Sequence, residues 1–181
     1  VQRNQDKVNE AHAGIGSEIH AACTLLQSII GIRTARVAYR GGAPAINDLV
    51  AGQVDFGCTV LVTVAPQVQA GSLKALAVTG PERVDVLKEI PTTKEAGLPA
   101  FQAMTWNAIF APKNLPHAIQ SRLNEALVKA LDNTAMRKRL IDLGAQIPDN
   151  PRRTPQALQR LVESEVARWV TVLKQQEVPA K

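Results

Sequence analysis

The chain has 181 residues, 45% of them hydrophobic and only 3% aromatic, with a formal net charge of +5. That supplies a core of Leu, Ile, Val and Ala for one domain or two small ones, and the scarcity of rings argues against stacking on bases or sugars. No apolar run reaches the roughly 18–20 residues that cross a bilayer.

The charge is unevenly placed: residues 1–112 hold 9 basic and 9 acidic groups, and residues 113–181 hold 12 and 7. Because those bases are interleaved with acids and no nucleic-acid motif accompanies them, the excess reads as solvated helix faces, and no nucleic acid is expected as a partner. Residues 1–7 are polar and read as a frayed start or as the tail of a helix whose start is missing, and a first residue that is not Met suggests a processed or truncated product.

In chain order, Gly14, Gly16 and Ser17 open a helix that runs to about Ile30. Ile19, Ala22, Cys23, Leu26, Ile29 and Ile30 recur at three- and four-residue spacing and predict one buried stripe. Ser17 can cap this helix and Gly31 can end it. Residues 35–39 read as a strand that runs into Arg40, Gly41, Gly42, Ala43 and Pro44. A helix bearing Ile46, Leu49 and Val50 follows, and Gly52 stops it. A second strand is predicted over 53–58, an apolar helix over 60–70 ending at Gly71, and an almost wholly apolar third strand over 73–78. Strands alternating with helices predict βαβ units on a parallel or mixed sheet flanked by helices, an α/β fold.

Residues 80–93 read as a charged, exposed loop, residues 93–97 as one helical turn, and residues 101–111 as a long strand in which Trp106 is a core or hinge residue. Three C-terminal helices are then predicted. The first begins at Pro116, with Ile119, Leu123, Leu127 and Leu131 on one stripe. The second is capped by Asn133, with Met136, Leu140 and Leu143 facing inward and Gly144 as its stop. The third starts at Thr154 and Pro155, with Leu158, Leu161, Val162, Val166, Trp169, Val170 and Leu173 on its apolar face.

In parallel sheets ligands bind beyond the carboxyl ends of the strands, where loops lead into helix N-termini. Gly41, Gly42 and Ala43 occupy such an exit, and two residues without Cβ let backbone N–H groups approach an anion. Gly14, Ile15, Gly16 and Ser17 offer a second set of amides and a hydroxyl. Either stretch can equally be a plain turn into a capped helix. His12 and His117 have no partners at metal-ligand spacing and read as surface or loop residues, so no metal or cofactor is expected. Cys23 and Cys58 are compatible with one disulfide if their elements are neighbours. An enzyme with Cys58 or Ser17 as nucleophile and His20 or His12 as base has little support, since neither a GxSxG elbow nor paired carboxylates appear.

Three stretches, Tyr39 to Ala45, Leu49 to Asp55 and Gln69 to Thr79, resemble the tripartite tricarboxylate transporter receptors, also called Bug proteins. So do Ile90 to Pro99 and Trp106 to Pro112. The resemblance covers nearly the whole chain, and it implies a type II periplasmic-binding-protein-like lobe that binds a small carboxylate for membrane transporter subunits, with no catalytic residue. It implies that residues 1–112 are the ligand-binding second lobe, and that residues 113–181 are a helical segment that packs, in the family, on a first lobe not contained in this chain. A third or more of the family's length normally precedes such a segment. The implied ligand set is Gly14, Ile15, Gly16, Ser17, His20, Gly41, Gly42, Ala43 and Thr59, with Arg40 as a possible counter-charge. Ile15 and Ile19 stand where the family has small or polar residues, and Glu18 adds a negative charge at the helix start. Without a first lobe the C-terminal apolar faces need a cover, so a homo-oligomer is expected. A truncated lobe that acts only as an interaction module is the alternative reading.

Overall fold

The computed structural model describes residues 7–174. Three parallel strands form its sheet in the order β2-β1-β3: β1 is Asn9–His12, β2 is Ala35–Ala38 and β3 is Phe56–Gly57. The register pairs Glu10 with Arg36 and with Phe56, and His12 with Ala38. Successive side chains on a strand alternate between faces. Ala11 and Val37 therefore share one face, which α2 (Gly42–Val50) covers with Ala45 and Leu49, together with Val54 from the turn that follows. Glu10, His12 and Arg36 share the other face, beneath α1 (Glu18–Ile30).

That polar underside sets the roll of α1. Its buried residues are Ile19, Ala21, Cys23, Thr24 and Gln27, while Leu26, Ile29 and Ile30, expected in the stripe, are only half-buried. Gln27 turns inward because Glu10 is fully buried: its Nε2 donates to Glu10 Oε2 and to Thr34 Oγ1 at 2.9 Å. Gly31 closes the helix in the left-handed conformation, φ 66°, as the sequence implies. Cys23, buried in α1, is joined to Cys58 at the exit of β3 by a disulfide with Cα atoms 5.4 Å apart, which ties the helix to the loop entering α3 (Leu61–Gln69).

Two predicted strands are absent and a third is shorter. Of 53–58 only Phe56–Gly57 pairs, because residues 51–53 complete the helix-ending turn through Gly52, φ 70°, and the bond from Gln53 N–H to Asp48 O. Residues 73–78 form a single bridge, Val78 with Thr92, and Leu76 stays 71% exposed. Residues 101–111 have no ladder partner among the described residues, and apolar composition without a neighbouring strand does not make a sheet. Side chains hold that segment instead: Thr93 Oγ1 donates to Phe101 O, Thr79 Oγ1 to Ala103 O, and Arg168 to Gln102 O. The loop over 80–93 is less exposed than expected, since the 3-10 turn Asp85–Leu87 buries Leu87 against α3. Glu95 braces that loop, accepting from Arg83 Nε and Thr92 N–H, which hold its carboxyl down at about 2.

The C-terminal helices are α4 (His117–Asp132), α5 (Thr134–Asp142) and α6 (Pro155–Lys174). Their caps form as read: Asn133 accepts from Met136 N–H at 3.0 Å and Thr154 from Ala157 N–H at 3.1 Å. Their stripes do not bury as read. No residue of α4 or α5 is buried, and Ile119, Leu123, Met136 and Leu143 are exposed, as are Leu161, Val166 and Val170 on α6. The α6 helix lies against α1, and Arg153 joins Asp132 at 2.6 Å, fixing the start of α6 to the end of α4. Trp106, taken as core or hinge, is partly exposed beside Phe110. The expectation for residues 1–6 lies outside the described residues.

Burial raises the carboxyl of Glu10 above its ordinary range, more than Arg36, Gln27, His12 and Thr34 lower it. The folded state then holds that proton more tightly than the unfolded chain. The stability it contributes is complete below the unfolded value and is lost as pH rises through the folded one. Glu10→Gln should therefore raise the melting temperature at pH 7–8, with the gain disappearing near pH 4, as measured by calorimetric melts across that range.

Candidate functional site

All three strands are parallel, so their carboxyl ends share one edge, and the three loops that leave it are neighbours. Tyr39 N–H donates to His12 O at 2.9 Å, continuing the pairing of β1 and β2 past the strand ends. A Cβ at Gly14 would lie 3.7 Å from Tyr39 O, and one at Gly42 would lie 3.6 Å from Ile19 Cδ1. The two glycine-bearing stretches thus sit side by side. Thr59, following β3 on the same edge, joins Gly42 and Ile19 around a gap of about 10 Å³, roughly the room one water needs. The described residues therefore form an open rim above a closed floor.

The first loop is held from within. Gly14 and Gly16 take φ of 104° and 83°, which L side chains rarely adopt. Ser17 caps α1, accepting from His20 N–H at 3.2 Å, and its hydroxyl donates to Gly14 O at 2.7 Å. That hydroxyl, expected to face a ligand, is thereby committed to the turn. His12 is buried rather than at the surface, and its Nδ1 accepts from Gly14 N–H at 3.2 Å. The amide of Ile15 has no acceptor among the described residues, and its side chain is 88% exposed. Glu18 is exposed on the first turn of α1.

His20 turns toward the protein. Its Nε2 lies 3.3 Å from Arg36 Nη1, its Nδ1 is 3.5 Å from Gly16 N, and its ring packs 5.0 Å from that of His12. The Gly16 N–H donates to Nδ1 and the Arg36 guanidinium can only donate to Nε2, so two donors converge on a ring whose neutral form has one acceptor nitrogen. Burial, then Arg36 and His12, lower the histidine below its ordinary value and keep it uncharged. The ring braces the loop from below.

Gly41 caps α2 at φ 106° with no side-chain bond, and its amide has no acceptor among the described residues. The N–H groups of Gly42 and Ala43, in the first helical turn, have no acceptor within the helix. Arg40 is exposed beside them. Tyr39 fixes the entry, its hydroxyl donating to Asp48 Oδ2 at 2.7 Å. Thr59 Oγ1 is buried without a partner. The chemistry on offer is a set of unsatisfied donors at two helix starts, with one hydroxyl below, a pattern that suits a carboxylate.

A rim of this kind, beyond the carboxyl ends of parallel strands, is where α/β folds bind small ligands. The model of the tripartite tricarboxylate transporter family receptor matches residues 1–178, and the chain belongs to that family. It is similar to MatC (Rpa3494) from Rhodopseudomonas palustris, solved with bound malate, at 41% identity and TM-score 0.90, over 95% of this chain and 58% of that one. The periplasmic binding protein BugD matches at 34% identity and TM-score 0.92, over 100% and 60%. Rpa4515 from R. palustris, solved with adipate, matches at 30% and 0.89, over 97% and 57%. The chain spans about half the length of the first curated relatives it matches. The family is one of receptors and not of enzymes, and Cys58, weighed above as a nucleophile, is half of a disulfide.

Gly41 and Gly42 separate conformational need from steric need. Ala at 41 has open space but an unfavourable φ, whereas Ala at 42 meets only ordinary contact with Ile19. Gly41→Ala should lower stability by about 1–3 kcal/mol, since φ 106° with ψ 176° is a region almost confined to glycine, while Gly42→Ala should stay within about 0.5 kcal/mol of the parent, as read from urea midpoints.

Proposed function

We propose that this chain binds a small carboxylate on the rim formed by Gly14, Ile15, Gly16, Ser17, His20, Gly41, Gly42, Ala43 and Thr59, and serves a membrane transporter as its periplasmic receptor. The observation that carries this reading is the side-by-side placement of unpaired amides at Ile15 and Gly41 on one edge of the sheet. The malate and adipate bound by two relatives support the ligand class. The direct contacts are assigned to the amides of Ile15, Gly41, Gly42 and Ala43 and to the Thr59 hydroxyl. Ser17 and His20 act by holding the first loop. Backbone donors without a buried cation suit a ligand that must be handed on. The disulfide fits an oxidising compartment such as the periplasm.

A ligand at one hundred times its Kd adds about 2.7 kcal/mol of stability, and a domain of this size gains about 2–4 °C per kcal/mol. A thermal-shift series with succinate, malate, citrate, adipate and glutamate should therefore raise the melting point by roughly 5–10 °C for at least one acid at saturation. A flat response to all five would contradict the assignment.

In the same reading, residues 1–112 are the ligand-binding lobe and residues 113–181 a helical segment whose outer faces meet other protein. The observation favouring this is the run of exposed apolar residues Ile109, Phe110, Ile119, Leu123, Val166 and Val170. For this chain by itself the cover is a second copy, joined through α4 and α6. Sedimentation velocity at micromolar concentration should show a dimer or larger; a monomer at every concentration would refute the shared-helix arrangement. If oligomers form and no acid binds, the interaction-module alternative is the one that survives.

A further inference from the structure

We propose that His12 is a positioning residue of the carboxylate site, which forms only while this imidazole is uncharged, so that a proton taken up beneath the first loop releases the acid bound there. The inference rests on the reading of these loops as a carboxylate site and adds the condition under which the site holds its ligand.

The first loop presents the Ile15 amide because the groups around it are already bonded. Gly14 O accepts from the Ser17 hydroxyl at 2.7 Å and from Ser17 N–H at 3.2 Å. Ile15 N–H lies in the same planar peptide as Gly14 O and points the opposite way, out of the turn. The other side of Gly14 is held by His12, whose Nδ1 accepts the Gly14 N–H at 3.2 Å. His20 is a poorer anchor, since Gly16 N at 3.5 Å and Arg36 Nη1 at 3.3 Å converge on one ring.

Because Nδ1 of His12 accepts, the neutral ring carries its hydrogen on Nε2. A proton added at Nδ1 would meet the Gly14 N–H donor to donor, and the anchor would become a repulsion. The surroundings give a cation little support. His12 is 3% exposed. From α1, His20 faces it with ring centroids 5.0 Å apart, and from β2, Arg36 lies against that second ring. The β3 strand brings Phe56 and Gly57 and no ionisable group. The one carboxyl on the strands is Glu10 of β1 itself, which is bonded to Gln27 and whose burial favours its protonated form. A charged His12 would attract an acid, but only by undoing the loop whose amide receives it. Binding therefore excludes the proton: affinity is complete above the histidine's titration and is lost as pH falls through it.

Isothermal titration of the full chain with succinate, malate and adipate, from pH 8 to pH 5.5, tests this. His12→Asn places an acceptor oxygen near the position of Nδ1 and cannot titrate; His12→Ala removes the acceptor. At pH 8 the Asn variant should bind within about three-fold of the parent, and the Ala variant on the order of ten-fold more weakly. On going to pH 5.5 the parent should lose on the order of ten-fold in affinity relative to the Asn variant, a ratio in which the ionisation of the acid itself cancels. Parent affinity that stays level or rises toward pH 5.5, a parent-to-Asn ratio that does not change with pH, or an Ala variant that binds like the parent would overturn the inference while leaving the carboxylate site standing. No heat at pH 8 from any of the three acids would overturn both.

Discussion

The parallel pairing of β1 with β2 on one side and β3 on the other is the constraint from which the rest follows. Parallel neighbours must be joined by crossovers, so each strand leaves the sheet at the same edge and turns into a helix start. Only four residue pairs define the longer of the two ladders, yet they bring the stretches at 13–17, 40–43 and 58–60 to one rim. The bond from Tyr39 N–H to His12 O carries the pairing beyond the strands and sets the distance between the two glycine turns. The disulfide adds a second tie, since it holds the third exit to the helix that follows the first.

The rim is built from backbone polarity and not from formal charge. Its balance of 9 basic and 9 acidic groups over residues 1–112 leaves no broad positive field. The positive potential an anion would meet comes from unpaired N–H groups at the starts of α1 and α2. Under the first of these lies a polar layer that is unusual for a sheet face packed by a helix: Glu10, His12, His20, Gln27 and Arg36. Each is bound to a neighbour there, His12 to the Gly14 amide, His20 to Arg36 and Gln27 to Glu10. The layer fixes the loop geometry, and it does so with histidines whose acceptor nitrogens are in use.

Much of this was legible in the sequence where glycines and caps punctuate it. The bounds of α2 and α3 follow from Gly41, Gly52 and Gly71, and the starts of α1, α5 and α6 from Ser17, Asn133 and Thr154. Apolar runs were poorer guides. Residues 73–78 and 101–111 have strand composition, but a strand exists only beside another strand, and no described residue supplies one. The stripes on α4 and α5 are real periodicities whose cover is not among the described residues. The roll of α1 was misjudged because a buried glutamate draws a glutamine inward, a tertiary effect that helical spacing does not encode. His12 was misplaced for a related reason: a four-residue strand is too short to show alternation, although its position two residues before Gly14 was a usable hint.

The most direct test of the central claim is an amide-resolved NMR titration with succinate. The account predicts that the Ile15, Gly41 and Gly42 resonances move together, saturating with a single dissociation constant, while those along α4 stay in place. Movement confined to one loop, or centred on α4, would contradict a shared carboxylate rim.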